Sequence, residues 1–160
     1  MTDTPDIGLE KEKMNKLNKL LKKLLADEVV LTMKLRNYHW NVQGIYFTQL
    51  HELFEEQYEE TFDIADEVAE YIRFYGGVSP GSLKEMIELT RLTETEGKLI
   101  DAKEMLKDLL NTHESIIKFL REDAAKAGSE LGDPAVEDFM IGLVHKHQKM
   151  AWMIRVSIKE

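Results

Sequence analysis

Apolar residues recur every three or four positions along most of the chain, a period typical of α-helices that bury one face. Four long segments show this period, and we expect their helices to begin near residues 15, 48, 93 and 134. A shorter segment over residues 82–89 shows it as well. The alternation of apolar and polar residues that indicates strands is not found in the sequence. The pattern therefore predicts an all-α protein.

Turn and capping residues mark the ends of these segments and predict how the helices connect. They are Gly44, Gly76-Gly77, the capping boxes Ser82-x-x-Glu85 and Thr93-x-x-Glu96, and Asp133-Pro134. Only a few residues separate the first two helices, so these should form an antiparallel hairpin. A long connection with a short helix then leads to the third helix. This order is typical of a ferritin-like four-helix bundle in an up-down-down-up arrangement.

The composition is that of one globular domain. The chain has 160 residues, of which 43% are hydrophobic and 32% are charged. Residues 1–14 should form a mobile N-terminal arm, and residues 15–160 should form the bundle domain. No apolar run approaches the roughly 20 residues that span a bilayer. The first ten residues lack the basic and apolar regions of a signal peptide.

Cysteine content and net charge narrow the chemistry. The chain has no cysteine, which excludes disulfides, thiolate metal sites and cysteine nucleophiles. This is compatible with a reducing cytosol, where we expect the protein, with association with the nucleoid as a further option. The formal net charge is −9. An acidic protein attracts cations and repels DNA phosphates unless a local basic segment intervenes.

Two histidines flank the turn between the first two helices. His39 and His51 are twelve positions apart, and their midpoint, Ile45, lies inside the predicted turn. Residues equally far from the turn of a hairpin lie opposite each other, so the two imidazoles should meet. Imidazole is a ligand for iron, zinc and copper. The alternative is a pair of half-buried histidines without a metal.

Two carboxylates further along the second helix cannot join these histidines within one chain. Asp66 and Glu70 are four positions apart and share a helix face, although such pairs are also common on solvated faces. At 1.5 Å per residue, Asp66 lies roughly 22 Å from His51 along the helix. A two-fold axis near Glu59 or Glu60 would bring His51 of one chain beside Asp66 and Glu70 of another. This arrangement predicts two sites per dimer.

The second helix also carries an acidic stripe. Glu52, Glu55, Glu56 and Glu59 follow helical spacing, either as a surface that gathers hard cations and seeds a ferric mineral or as an ordinary solvated face. None of the five histidines has a glutamate three positions before it. The Glu-x-x-His motif of intrachain di-iron sites in bundle cores is therefore absent.

The remaining histidines are expected to be structural. His113 and His147 lie on apolar helix faces and should be hydrogen-bonded in the core or at an interface, whereas His145 should be exposed.

Along nearly its whole length the sequence resembles the Dps family (DNA-binding protein from starved cells), the dodecameric mini-ferritins. The resemblance depends on Y-H-W-N-V-Q-G at 38–44, H-E-L-F-E at 51–55, D-E-V-A-E at 66–70 and G-D-P-A-V-E-D-F-M-I-G at 132–142. The spacings of twelve, fifteen and four between His39, His51, Asp66 and Glu70 match the ferroxidase ligands of that family.

This resemblance implies a hollow shell of twelve subunits that oxidises Fe²⁺ at dimer interfaces and stores a ferric mineral. Hydrogen peroxide is the preferred oxidant that it implies, with O₂ as a second one, and protection against oxidative stress follows. Carried over by position, His39 and His51 come from one subunit, and Asp66 and Glu70 from its two-fold mate. Glu55 falls where the family often has a further acidic ligand or a neighbour of the ligands.

Two further roles follow from position in the family. Trp40 falls where a tryptophan neighbours the site and takes up oxidising equivalents. The family admits iron through acidic three-fold pores near the start of the last helix. Asp138 and Glu137 are the preferred candidates for this role, and Asp133 ranks below them because it is also the expected N-cap. The alternative for each of these acids is a favourable interaction with the helix dipole.

The sequence departs from the DNA-binding members of the family at its termini. Residues 1–14 contain four acids and two lysines, and residues 157–160 form no basic tail. Four lysines on the first helix, Lys16, Lys19, Lys22 and Lys23, are better explained as a solvated face. We therefore expect no strong direct DNA binding.

The ferroxidase and iron-storage function has two alternatives at this point. They are a non-enzymatic protein of the same fold that coats DNA and a structural homodimer with incidental histidines and acids. Within the first function, zinc or copper in place of iron, and zinc in the resting site, are compatible with the ligands.

Overall fold

The computed structural model describes residues 4–159, and the part of the chain that it describes is helical without strands. The helices are α1 (Lys11–Asn41), α2 (Phe47–Phe74), α3 (Leu83–Leu89), α4 (Ala102–Ala125) and α5 (Pro134–Ile158), with a π-helical turn at Lys126–Glu130 after α4. The all-α prediction is confirmed. No helix in the described chain combines the length and the apolarity that are needed to cross a bilayer.

Helix α1 begins four residues before its predicted start. Glu12 in its first turn forms an ion pair with Lys16 at 2.8 Å, and Met14 is buried in the core. Residues 11–14 are therefore helical, and residues 1–3 of the predicted arm lie outside the described chain. A short turn at Gly44, with a φ of 117°, joins α1 to α2. This positive φ suits glycine because it has no Cβ.

Helix α1 packs along α2 and α4 packs along α5, while the short α3 packs against α1. The apolar period of α1 explains its contacts, since Leu17, Leu21, Leu24, Leu31 and Leu35 are all fully buried. Each fully buried leucine contributes roughly 1.5–3 kcal/mol to folding. The hydrophobic cluster contains residues of all five helices, so the chain folds around one core.

Helix α4 begins at Ala102, so the predicted start at Thr93 is wrong. Its N-cap is Asp101, whose side chain accepts a hydrogen bond from the Glu104 amide at 2.8 Å. The Thr93-x-x-Glu96 segment lies instead in an irregular connection, and Gly97 has a φ of 62°. The predicted starts of α3 and α5 are confirmed: Ser82 and Glu85 form a reciprocal capping box before α3, and Pro134 is the first residue of α5.

Arg91 anchors the connection just before the Thr93-x-x-Glu96 segment. Its backbone amide donates to Asp27 at 2.7 Å, and its guanidinium binds both Asp27 and Asp123. Thr90 also donates to Asp27. These contacts tie the connection to α1 and α4, and the positive φ of Gly97 is incompatible with a helix that continues from Thr93.

A chain of four buried polar side chains crosses the core, with one residue from each long helix. Gln57 donates to the Met150 carbonyl at 3.2 Å, so its side-chain oxygen faces His113 Nε2 at 3.2 Å. His113 Nε2 must then donate, because an amide oxygen only accepts. His113 Nδ1 in turn accepts from His147 Nδ1 at 3.0 Å, and His147 Nε2 shares a hydrogen bond with Glu28 Oε1 at 2.8 Å.

This hydrogen-bond pattern links the four long helices through the core. His113 donates to Gln57 and accepts from His147, so its ring is neutral. Both histidines are fully buried, which confirms the prediction for them, and His145 is exposed as expected. The second carboxylate oxygen of Glu28, Oε2, is buried without a hydrogen-bond partner among the described residues.

We predict that protonation of His113 limits stability in acid. Burial, and then the neighbouring His147, hold the pKa of His113 well below its usual value near 6.5. The unfolded chain binds this proton at about pH 6.5 and the folded chain does not, so the free energy of unfolding should fall as pH drops below that value. The loss from this group is up to about 1.4 kcal/mol per pH unit.

Urea unfolding at a fixed protein concentration, from about pH 7.5 to about pH 5.5, measures this slope. His113→Gln should flatten it, and the matched His145→Gln, at the exposed histidine, should keep the wild-type slope. An equal slope in all three proteins would show that His113 is not the group responsible.

Candidate metal centre

The α1–α2 hairpin brings His39 and His51 together. His39 lies in the last turn of α1, and His51 lies near the start of α2. Their rings stack with centroids 3.6 Å apart and planes inclined by 19°. The two imidazoles therefore meet in the structure, as their spacing predicts.

A reciprocal pair of hydrogen bonds fixes both rings. His39 Nδ1 donates to the His51 carbonyl at 2.8 Å, and His51 Nδ1 donates to the His39 carbonyl at 2.8 Å. Because a carbonyl only accepts, both Nδ1 atoms carry the proton and both Nε2 atoms of the neutral rings keep a free lone pair. Histidines that bind metals usually hold their second nitrogen in this way.

Glu55 completes a cluster of three ligands within one chain. It lies one turn after His51 on α2, and ligand atoms of His39, His51 and Glu55 all lie within 4.8 Å of one another. Among the described residues this is the only group of three or more such side chains. His39 is buried and the other two are half-buried, so the cluster has access to solvent.

Tyr58 borders this cluster and was not identified from the sequence. Its hydroxyl donates to Glu55 Oε1 at 3.1 Å, and its ring stands nearly perpendicular to that of His39, with centroids 5.3 Å apart. The Arg36 guanidinium carbon lies 5.0 Å from the Tyr58 ring centroid. Burial, followed by the hydrogen bond to Glu55, raises the pKa of Tyr58. The available signal was its position three residues after Glu55, on the same helix face.

Asp66 and Glu70 are not part of this cluster. Both are exposed on α2, one helical turn apart, and within one chain the structure leaves them away from His39 and His51. Helix geometry again gives roughly 22 Å between His51 and Asp66.

Asp66 borders an apolar groove between α1, α2 and α3. The groove has a volume of about 830 Å³, and its lining includes the exposed side chains of Phe62, Leu83 and Ile87. Phe62 is 62% exposed and Leu83 is 74% exposed, which is unusual for such large apolar groups. A contiguous apolar surface of this kind is typical of an interaction site.

The acidic stripe and Trp40 face solvent. Glu52, Glu56 and Glu59 are exposed, as is Trp40, with 63% of its surface accessible. Glu56 shares a shallow pocket with Lys146 and Lys149, so cations lie beside part of the stripe. This reduces the local excess of negative charge at that end.

The three acids near the start of α5 have different surroundings. Asp133 is 4% exposed and caps α5 by accepting from the amides of Ala135 and Val136, and it also accepts a short hydrogen bond from the Tyr75 hydroxyl. Glu137 is half-buried, whereas Asp138 is exposed. The contacts of Asp133 are therefore those of a helix cap. Of the three acids, Asp138 is the most accessible to ions.

The sequence and the fold are similar to those of known proteins. A family profile described as a ferritin-like domain matches residues 18–160. An uncharacterised low temperature-induced protein from Nostoc is 37% identical over 154 residues, which cover 96% of this chain and 86% of that protein. The DNA protection during starvation protein of Helicobacter pylori is 34% identical over 139 residues, covering 87% and 96%.

A solved structure from Vibrio cholerae has the same fold. It is a Dps protein described as a member of a broad superfamily of ferritin-like diiron-carboxylate proteins. It superposes with a TM-score of 0.90 at 29% identity, over 98% of this chain and 97% of that one. These matches span nearly the whole sequence, and the chain therefore belongs to the ferritin-like family, within its group of Dps (DNA protection during starvation) proteins.

Proposed function

We propose that this protein oxidises Fe²⁺ and stores the ferric product, and thereby protects the cell from oxidative damage. The observation that carries this proposal is the cluster of His39, His51 and Glu55, with two free imidazole lone pairs beside a carboxylate. Nitrogen ligands retain affinity for Fe²⁺, and carboxylates favour Fe³⁺. Membership of the ferritin-like family supports iron as the substrate.

The proposed ferroxidase site is shared between two subunits. His39, His51 and Glu55 supply one half, and Asp66 and Glu70 of a two-fold mate supply the other. An axis near Glu59 would place the two copies of α2 antiparallel and would generate two such sites. The apolar groove beside Asp66 supports this arrangement, because a second copy would cover its exposed side chains.

Hydrogen peroxide is the oxidant that we propose, with O₂ as a slower substitute. One peroxide takes one electron from each of two Fe²⁺ ions and two protons, and yields two Fe³⁺ ions and two waters. Because the proposed site has only a few protein ligands, coordination positions on the iron stay open for the oxidant. Pairwise oxidation releases no hydroxyl radical, so detoxification accompanies storage.

Storage requires a hollow assembly, for which we propose a dodecamer. Glu52, Glu56 and Glu59 are the proposed nucleation surface for the ferric mineral. Asp138 and Glu137 are the proposed entry route for iron, and Asp133 acts mainly as a helix cap.

Trp40 is proposed as a neighbour of the site that takes up oxidising equivalents, which its exposure permits. The Vibrio cholerae protein is described as a member of a diiron-carboxylate superfamily, which supports iron as the proposed metal. The expected cytoplasmic location and the 15–160 domain boundary stay predictions.

The first test is oxidation by His51→Ala. Anaerobic loading with Fe²⁺ followed by peroxide should give rapid formation of ferric absorbance in the wild type. The variant should lose at least about tenfold in rate, because one of the two imidazole ligands is gone. His145→Ala, at the exposed histidine, is the control and should react like the wild type. Rapid oxidation in His51→Ala would remove this site from the proposal.

The shared site is tested by mixing two inactive chains. His51→Ala and Asp66→Ala, co-expressed with different tags and purified as a mixed assembly, should regain activity. Each mixed dimer then contains one of its two sites with both halves intact, and with random pairing about a quarter of all sites in the assembly should recover. If every ligand came from a single chain, no mixture of these variants would be active.

DNA coating is the second function to test, since relatives carry the name DNA protection during starvation. The arm is acidic and the chain carries a net charge of −9, so we expect no retardation of DNA at low salt. A mobility-shift assay at near-stoichiometric protein measures this. Retardation that disappears as salt is added would support direct binding and contradict the expectation.

A further inference from the structure

Glu55 is held by a neighbour that no motif predicts. The Tyr58 hydroxyl donates to Glu55 Oε1 at 3.1 Å, so one carboxylate oxygen has a protein partner beside the two histidines. The other oxygen is left for a cation. A glutamate at a half-exposed position has several rotamers open to it, and a hydrogen bond from a fixed group restricts that freedom.

Tyr58 is itself fixed on more than one side. Its ring stands perpendicular to the ring of His39, and the guanidinium of Arg36 lies over its face. The hydroxyl of Thr61 also donates to the Tyr58 carbonyl at 3.2 Å, within the same helix. Aromatic and cation–π contacts of this kind hold the ring plane and thus the direction of the hydroxyl.

We infer that Tyr58 is a positioning residue that holds Glu55 in the rotamer that binds metal and leaves it one oxygen for coordination. This inference rests on the proposed function and deepens it. Tyr58 does not contact the cation, and it acts through Glu55 and through the orientation of His39.

The arrangement also bears on which cations bind. Two imidazole nitrogens and a single carboxylate oxygen suit Fe²⁺, Co²⁺ and Zn²⁺. Calcium takes six to eight oxygen ligands, often with bidentate carboxylates. A glutamate restricted to one oxygen therefore favours transition metals over calcium at the first binding step.

The test uses Co²⁺ as the probe, titrated without air into the assembled protein and followed by its visible absorption. Tyr58→Phe keeps the ring and removes only the hydroxyl. Its dissociation constant should rise about tenfold, the effect typical of a lost partner of a metal ligand. Tyr46→Phe is the matched control, because Tyr46 is exposed on the α1–α2 turn, and it should bind like the wild type.

A double-mutant cycle separates positioning from general structure. On a Glu55→Ala background, Tyr58→Phe should change Co²⁺ affinity by less than about twofold, because the group through which Tyr58 acts is gone. The same tenfold loss on both backgrounds would show that Tyr58 acts independently of Glu55 and would overturn the inference. So would unchanged binding by Tyr58→Phe in the wild-type background.

His51→Ala distinguishes this inference from the proposed function. If His51→Ala abolishes Co²⁺ binding and Tyr58→Phe does not weaken it, the metal site stands and the role of Tyr58 is wrong. If His51→Ala binds Co²⁺ like the wild type, the metal site itself is wrong and the inference fails with it.

Discussion

The reciprocal hydrogen bonds between His39 and His51 are the constraint on which the rest of the site depends. Each ring donates to the backbone of the opposite helix, so the bonds close the α1–α2 hairpin and set both tautomers at once. A hairpin of different length would lose both effects, because the two residues would no longer be level. Fold and ligand chemistry therefore share the same pair of contacts, and Glu55 with Tyr58 builds outward from it.

The polar chain through the core shows why the metal cluster lies at the hairpin. Glu28, Gln57, His113 and His147 come from four helices, as ligands in a bundle core do, but they bond to one another in a line. Of these four side chains, only Glu28 has an oxygen, Oε2, without a partner. In the part of the chain that the structure describes, ligand atoms converge only at His39, His51 and Glu55. The core chain gives the bundle specific internal pairing, because both nitrogens of each imidazole are already engaged.

Sequence reasoning succeeded where a feature depends on local spacing. The hairpin pairing of His39 and His51 and the start of α5 at Pro134 follow from positions counted along the chain. It failed at α4, where the positive φ of Gly97 interrupts the helix that the Thr93 capping box predicts. The connection before it is held by Arg91 and Asp27, 64 positions apart, and no local signal encodes that contact. Tyr58 was missed because a tyrosine that follows the apolar period of a helix is normally interpreted as a core residue. The partnership of Asp66 and Glu70 with a second chain is a matter of assembly, which one chain does not contain.

Arg91 also divides the connection between α3 and α4 into parts that are anchored separately. The guanidinium fastens one end to α1 and α4, and the Asp101 cap fastens the other to α4 itself. Between them, residues 96–99 are exposed and irregular. A protease cut or an inserted peptide at this stretch would leave both anchors in place. The bundle thus has an exposed position for a probe or a tag that lies beside the α1–α2 turn, since Leu99 lines a pocket together with Asn41 and Gly44.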